Sequence, residues 1–239
     1  MSPPRRAIIA VTSASAPLFE GTHTTGLFIT EALHPYKIFT EAGFEVDLTS
    51  ETGSYTPDWL SLTPDFLHDD DLAIYNNPQS DFRKKLDNMP KAVDVDYSNY
   101  GVFFASAGHA ALLDYPTAAN LKRIAASVWD KGGIVSSVCH GPAVFHNLIE
   151  TATGLPLIKG KTITGFTTEA ESVMHIADEL KGWKTPLVEE TAALMGATYK
   201  RSSGVWDDYH IVDGRLVTGM NPASAMSTAK AVVEAFEKL

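Results

Sequence analysis

Short runs of β-branched and other apolar residues recur along the chain, and between them lie longer stretches in which apolar positions return every three or four residues. The runs near Ala7–Thr12, Glu45–Leu48, Gly101–Ala105, Gly133–Val138 and Thr162–Gly165 read as strands. Two more, near His210–Val212 and Leu216–Gly219, flank Asp213-Gly214, a dipeptide that closes tight hairpins. Helical spacing covers Gly26–Ala42, Pro116–Lys131, Pro142–Leu148, Pro186–Met195 and Pro222–Lys238. Strands alternating with helices predict an α/β fold: a mostly parallel central sheet, helices on both faces and a C-terminal β-hairpin. From Gly53 to Tyr97 the pattern dissolves into scattered Pro, Asp and Asn with one short helix near Asp81–Leu86. That stretch is expected to be an insertion, around 53–97, in a single domain spanning 1–239.

The candidate chemistry begins at Cys139, the only cysteine in the sequence. The strand ending at Val138 runs directly into Cys139-His140-Gly141-Pro142, where Gly141 permits a sharp turn and Pro142 suits the first position of a helix. Strand, turn and helix in this order present a side chain as a nucleophile elbow does, with cysteine in place of serine. Amides and the dipole at a helix start favour the thiolate, which predicts a reactive and readily oxidised Cys139. The competing reading is an inert buried thiol packed like a small hydrophobe. The strand context and the adjacent His140, whose ordinary pKa suits proton transfer at neutral pH, favour reactivity.

Glu31 shares a helical stripe with Leu27, Phe28 and Pro35, so its carboxyl is expected to face the sheet, where desolvation favours the protonated form. The alternative is a solvated glutamate. Gly108-His109 follows the strand ending at Ala105-Ser106, at the carboxyl end where open α/β sheets bind their ligands. The amides of Gly108 and His140 are the candidate oxyanion donors. His109 is either a substrate contact or a polar loop residue. Glu169, Glu171 and Glu179 read equally well as solvated helix charges, and Trp206-Asp207-Asp208-Tyr209 as a pocket wall or a fold support.

Composition narrows the partners. With 44% hydrophobic and 10% aromatic residues the chain of 239 residues can bury a large core. A net charge of −10 without any Lys/Arg block disfavours nucleic acid and anionic membranes. The apolar run after Arg5-Arg6 is too short for a signal peptide. One cysteine forms no internal disulfide, which fits a cytoplasmic location, the nucleus included. Zinc-type histidine spacing, GxGxxG, a phosphate loop and HExxH are all missing from the sequence, so neither metal nor cofactor is expected.

Ser106-Ala107-Gly108-His109, Val138-Cys139-His140-Gly141-Pro142 and Ile163-Thr164-Gly165-Phe166-Thr167 followed by Glu171 resemble the ThiJ/PfpI superfamily. Glu31-Ala32-Leu33-His34-Pro35, Trp206-Asp207-Asp208-Tyr209 and Gly214-Arg215-Leu216-Val217-Thr218-Gly219 resemble its fungal, heat-inducible, glutathione-independent glyoxalases, also called glyoxalase III or D-lactate dehydratase. Ala110, where glycine is expected in some relatives, departs from the pattern. The resemblance implies a flavodoxin-like three-layer sandwich. It also implies a lyase that converts methylglyoxal or glyoxal to a 2-hydroxy acid through a Cys139 hemithioacetal and an enediol. In that scheme Glu31 lies beside the sulfur, and Glu171 orients His140 as the third member of a triad, with Glu169 as its rival. A homodimer is implied too, with a small dicarbonyl as substrate and unfolded client proteins as further partners. The rival functions are a stress-inducible holdase or redox sensor and an intracellular cysteine peptidase. A glutamine amidotransferase is disfavoured, since none of His146, His175 or His210 has Glu two positions on.

Overall fold

In the computed structural model, which describes residues 2–239, the strands are β1 (Arg6–Val11), β2 (Ala16–Leu18), β3 (His23–Thr25), β4 (Glu45–Ser50), β5 (Val102–Ala105), β6 (Ile134–Val138), β7 (Thr162–Ile163), β8 (Thr198–Tyr199), β9 (His210–Asp213) and β10 (Leu216–Gly219). The helices are α1 (Ile29–Glu41), α2 (Asp69–Asn76), α3 (Asp81–Asp87), α4 (Ala111–Asp114), α5 (Ala119–Asp130), α6 (Thr168–Val173), α7 (Ala177–Gly182), α8 (Val188–Leu194) and α9 (Ala225–Phe236). The main sheet has the order β4-β1-β5-β6-β10-β9, parallel throughout except for β9, which returns antiparallel to β10 through the Asp213-Gly214 turn. This is the flavodoxin-like three-layer arrangement.

Alternation along the strands builds a core on each face. Ile8, Ala10, Phe103 and Val135 pack with Leu121, Ile124 and Val128 of α5, while Ala7, Ile9, Phe104 and Ile134 pack with Leu33 and Phe39 of α1 and Val232 of α9. Burial on both faces explains why the strands read as nearly continuous apolar runs. Residue pairs Ala105–Ser137 and Gly219–Val138 align the carboxyl ends of β5, β6 and β10, so the loops that follow them meet at one edge.

Several elements differ from expectation. β7 lies outside the main sheet and pairs with β8. The segment after it leans on the sheet through single contacts: the Thr164 amide donates to Thr218 Oγ1 at 2.9 Å and the Phe166 amide to the Cys139 carbonyl at 2.7 Å. The helix expected over 142–148 is a five-residue 3-10 turn, Gly141–Phe145, followed by Asn147 with a left-handed φ of 56°. Residues 26–28, expected as the first turn of α1, lie before it; Leu27 donates to Thr56 O and Phe28 to Ala107 O, each at 2.7 Å. A β-carbon at Gly26 would stand 1.9 Å from the Thr56 oxygen, so only glycine fits this close approach. The stretch from 53 to 97 supplies Leu67, Phe82, Leu86 and Met89 to the core on the α1 side. Among the described residues no helix is long and apolar enough to cross a membrane.

Candidate active site

Cys139 sits immediately after β6 with a left-handed φ of 59°, a conformation that costs a non-glycine residue about 1–3 kcal/mol and persists only where neighbours enforce it. Here its amide donates to the Gly219 carbonyl at 3.0 Å and its carbonyl accepts from Phe166. Gly141 completes the elbow, since a β-carbon there would lie 2.4 Å from the Ala105 oxygen. The strained turn is what lets adjacent side chains at 139 and 140 lie on the same side. Cys139 Sγ is 3.3 Å from His140 Nδ1, and His140 Nε2 is 2.8 Å from Glu171 Oε1.

Glu171 also reaches His109, whose Nε2 stands 2.9 Å from its second oxygen, and the two imidazole centroids are 4.2 Å apart. One carboxylate thus serves two rings 31 and 62 residues away in sequence. Each ring meets it through Nε2, and an ionised carboxylate only accepts, so both rings carry hydrogen there. The tautomer of His140 is thereby fixed with the Nδ1 lone pair aimed at sulfur. Burial pushes Glu171 up, but the two histidines outweigh it and hold the carboxyl down at about 2. Burial and the neighbouring His109 push His140 down to about 4, so it rests neutral. His109 moves the other way despite its burial, raised by Glu171. The rival Glu169 points outward to Arg201.

Glu31, in the first turn of α1, is 0% exposed. Its Oε2 accepts the Ala107 amide at 3.1 Å, while Oε1 has no well-aligned partner and faces the Cys139 side chain. Burial pushes this carboxyl up to about 8, against the opposing pull of Cys139 and the Ala107 amide. It is therefore neutral at physiological pH. Its proton belongs on Oε1, because Oε2 is already an acceptor.

The thiol departs from expectation. Burial, followed by the proximity of Glu31, raises the Cys139 pKa well above its ordinary value, and the His140 amide offsets this only in part. The 3-10 turn after it is too short to carry the macrodipole of a full helix. The resting pair is a thiol beside a carboxylic acid, with the Nδ1 lone pair of His140 3.3 Å from the sulfur.

Gly108, with φ 152°, approaches the Gly26 carbonyl so closely that a β-carbon would be 2.1 Å away. Among the described residues its amide donates to no protein acceptor, leaving it free for an oxyanion. The amide of His140 is directed at the sulfur. The ligating atoms of His109, His140 and Glu171 lie within 4.8 Å of one another, a donor set a divalent cation accepts. Both carboxylate oxygens accept imidazole N–H groups in this arrangement.

Above Cys139 opens a cavity of about 360 Å³, with Gly108, His109 and Trp206 among its lining residues. Trp206 is a pocket wall, whereas Asp207 and Asp208 tie their loop to Ser202 and Ser227. Sequence reasoning missed Asp58, Trp59, Leu60 and Phe66, which line the same cavity from the 53–97 stretch, and Phe19 at the tip of the β2–β3 hairpin. Asp58 is 3% exposed and binds Thr25 Oγ1 at 2.6 Å and the Leu60 amide at 2.9 Å. The signal for it was slight: an aspartate before Trp in a segment otherwise lacking periodicity.

No family model matches the chain. It is similar to "Glyoxalase 3" of Candida albicans, 46% identical over 232 residues that cover 97% of this chain and 98% of the relative. It is 45% identical to "Glutathione-independent glyoxalase HSP31" of Saccharomyces cerevisiae over 234 residues, 98% of this chain and 99% of the relative. The crystal structure of glyoxalase III from C. albicans superposes with a TM-score of 0.95, covering 98% of each chain at 46% identity. A ThiJ/PfpI domain protein from Brachyspira murdochii, 14% identical with a TM-score of 0.62 over 100% of this chain and 99% of that one, shares the fold. Near-complete coverage at these identities settles the relationship: the chain belongs to the glutathione-independent glyoxalases.

Proposed function

We propose that this protein converts methylglyoxal, or glyoxal, to D-lactate or glycolate without glutathione or any cofactor, as a D-lactate dehydratase. The observation that carries this is the placement of Cys139 Sγ between a basic imidazole nitrogen at 3.3 Å and a neutral, proton-bearing carboxyl, at the floor of a nonpolar cavity. Sulfur attacks the aldehyde carbon as its proton passes through His140 Nδ1 to the aldehyde oxygen, and the Gly108 amide steadies that oxygen. His140 then removes the hydrogen of the hemithioacetal carbon while Glu31 gives its proton to the neighbouring carbonyl oxygen, forming an enediol. Return of the proton to the second carbon, and of the hydroxyl proton to Glu31, leaves a thioester. Water cleaves it to the 2-hydroxy acid and the thiol. Oxidation of one carbon balances reduction of the next.

Glu171 keeps the tautomer of His140 correct throughout. Purified protein mixed with methylglyoxal and no glutathione is expected to form lactate, and a flat lactate assay would exclude the reaction. A cysteine peptidase is disfavoured because Cys139 is only 3% exposed, at the floor of an aromatic-walled cavity. Residues 1–239 are taken as one domain in which the 53–97 insertion supplies a wall of the site. A homodimer, as the resemblance implies, and a cytoplasmic location, which the single cysteine fits, accompany this reading.

Glu171→Gln is expected to lower kcat by roughly a hundredfold with little change in KM. An amide accepts through only one atom, so it cannot hold two imidazole N–H groups at once. Loss of its charge also lowers the pKa of both histidines, so the acid limb of the kcat/KM profile moves to lower pH. A profile unmoved in this variant would contradict the shared-carboxylate arrangement.

A further inference from the structure

The cavity over Cys139 is much larger than methylglyoxal requires. Its volume of about 360 Å³ falls in the range that encloses a drug-sized ligand, whereas methylglyoxal adds only one methyl group to its pair of carbonyls. Three aromatic pairs from distant parts of the chain wall it. Phe28 and Phe66 meet edge to face with centroids 5.0 Å apart, Phe19 and Trp59 do so at 5.7 Å, and Phe166 and Trp206 are tilted at 5.9 Å. Trp59 is held in place from behind by His23, stacked at 3.7 Å. These walls are braced by one another and do not need a substrate to order them.

The carboxylate and the side-chain amide of the lining, Asp58 and Asn221, are already committed. Both oxygens of Asp58 accept hydrogen bonds from the protein. Asn221 donates to the Val205 and Asp207 carbonyls and accepts from the Ser224 amide. Away from Cys139 and His109 the lining thus offers a ligand no cation and no uncommitted carboxylate or side-chain amide, only the Gly108 amide and the indole N–H groups of Trp59 and Trp206, and a charged substituent placed there would lose its hydration without an opposite charge to replace it. An aromatic ring would meet edges and faces suited to it on three sides.

We propose that the preferred substrates are 2-oxoaldehydes whose second carbonyl carries a ring-sized, uncharged apolar group, aryl above all. The proposal rests on the glyoxalase reading and specifies its substrate class. The chemistry is unchanged: a C–S bond forms as the aldehyde π bond breaks, the first carbon is oxidised and the second reduced, and water releases the acid. Phenylglyoxal plus water gives mandelate.

The test compares phenylglyoxal, methylglyoxal and 4-carboxyphenylglyoxal with the full-length protein, without glutathione, by chromatography of the hydroxy acids. Phenylglyoxal is expected to show a kcat/KM about tenfold or more above that of methylglyoxal, the gain from burying a ring, and the carboxylated ring to lose that gain. Trp206→Ala, at a half-exposed position, is expected to pull the phenyl-to-methyl ratio toward unity; Phe66→Leu tests the opposite wall. Turnover of methylglyoxal with no preference for phenylglyoxal overturns the proposal and leaves the glyoxalase reading standing, as does a ratio unchanged in both variants. Failure to turn over any of the three aldehydes removes the glyoxalase reading and this proposal with it.

Discussion

Cys139→Ala is expected to yield a folded protein that forms no lactate from methylglyoxal, a loss of roughly 10⁴-fold or more, as when the nucleophile of a covalent mechanism is removed. The side chain is 3% exposed, so its deletion leaves only a small void, worth about 1 kcal/mol, and melting should fall by a few degrees at most. Alanine keeps the left-handed backbone at the same steric cost as cysteine, and the two hydrogen bonds that enforce it come from main-chain atoms. The elbow therefore survives without its sulfur. Circular dichroism and thermal melting check the fold, and chromatographic lactate the activity. Retention of most turnover would end the covalent mechanism.

Glu31→Gln separates chemistry from stability in the opposite sense. The amide can still donate from the position of Oε1, but it has no proton to transfer, so turnover should drop by about a hundredfold or more. Stability should rise. The carboxyl stands at about 8 in the folded protein against 4.5 for the ordinary group. Between those values the unfolded chain has released the proton and the folded chain retains it, so each pH unit upward costs the native state about 1.4 kcal/mol. Glutamine has no such dependence. The melting temperature of Glu31→Gln relative to the parent is thus expected to climb as pH rises from 5 to 8 and to level off above that. A difference that stays flat over this interval would show that Glu31 is ionised in the native state, and a variant with parental turnover would make it a structural carboxylate only.

The sheet was legible because strands buried on both faces leave continuous apolar runs, as in Ala7–Val11 and Val102–Ala105. The elbow was legible because the strand pattern stops at a cysteine followed by Gly141 and Pro142. Glu31 stood out as a carboxylate on an apolar stripe, and its desolvation follows from that position. What stayed hidden depended on contacts between distant segments. Two-residue strands such as β7 and β8 are too short to show a period, and the β2–β3 hairpin turns through Phe19 and Glu20, both at φ 55°, without the Asn-Gly or Asp-Gly that marks such turns. Asp58, Trp59 and Phe66 reach the site because α2, α3 and their flanking loops fold back over α1. The thiol was expected to be acidic from its local motif, yet burial, and after it Glu31 more than a hundred positions earlier in the chain, raises its pKa.

A sulfur that keeps its proton at rest is shielded by chemistry as well as by burial. Peroxides and alkylating electrophiles consume thiolates, and the oxidation ladder starts from that form. In the proposed mechanism the thiolate forms only as the aldehyde is attacked and His140 Nδ1 takes the proton. Ready oxidation, which the local motif predicts and a redox sensor needs, is disfavoured by this upward shift of the thiol.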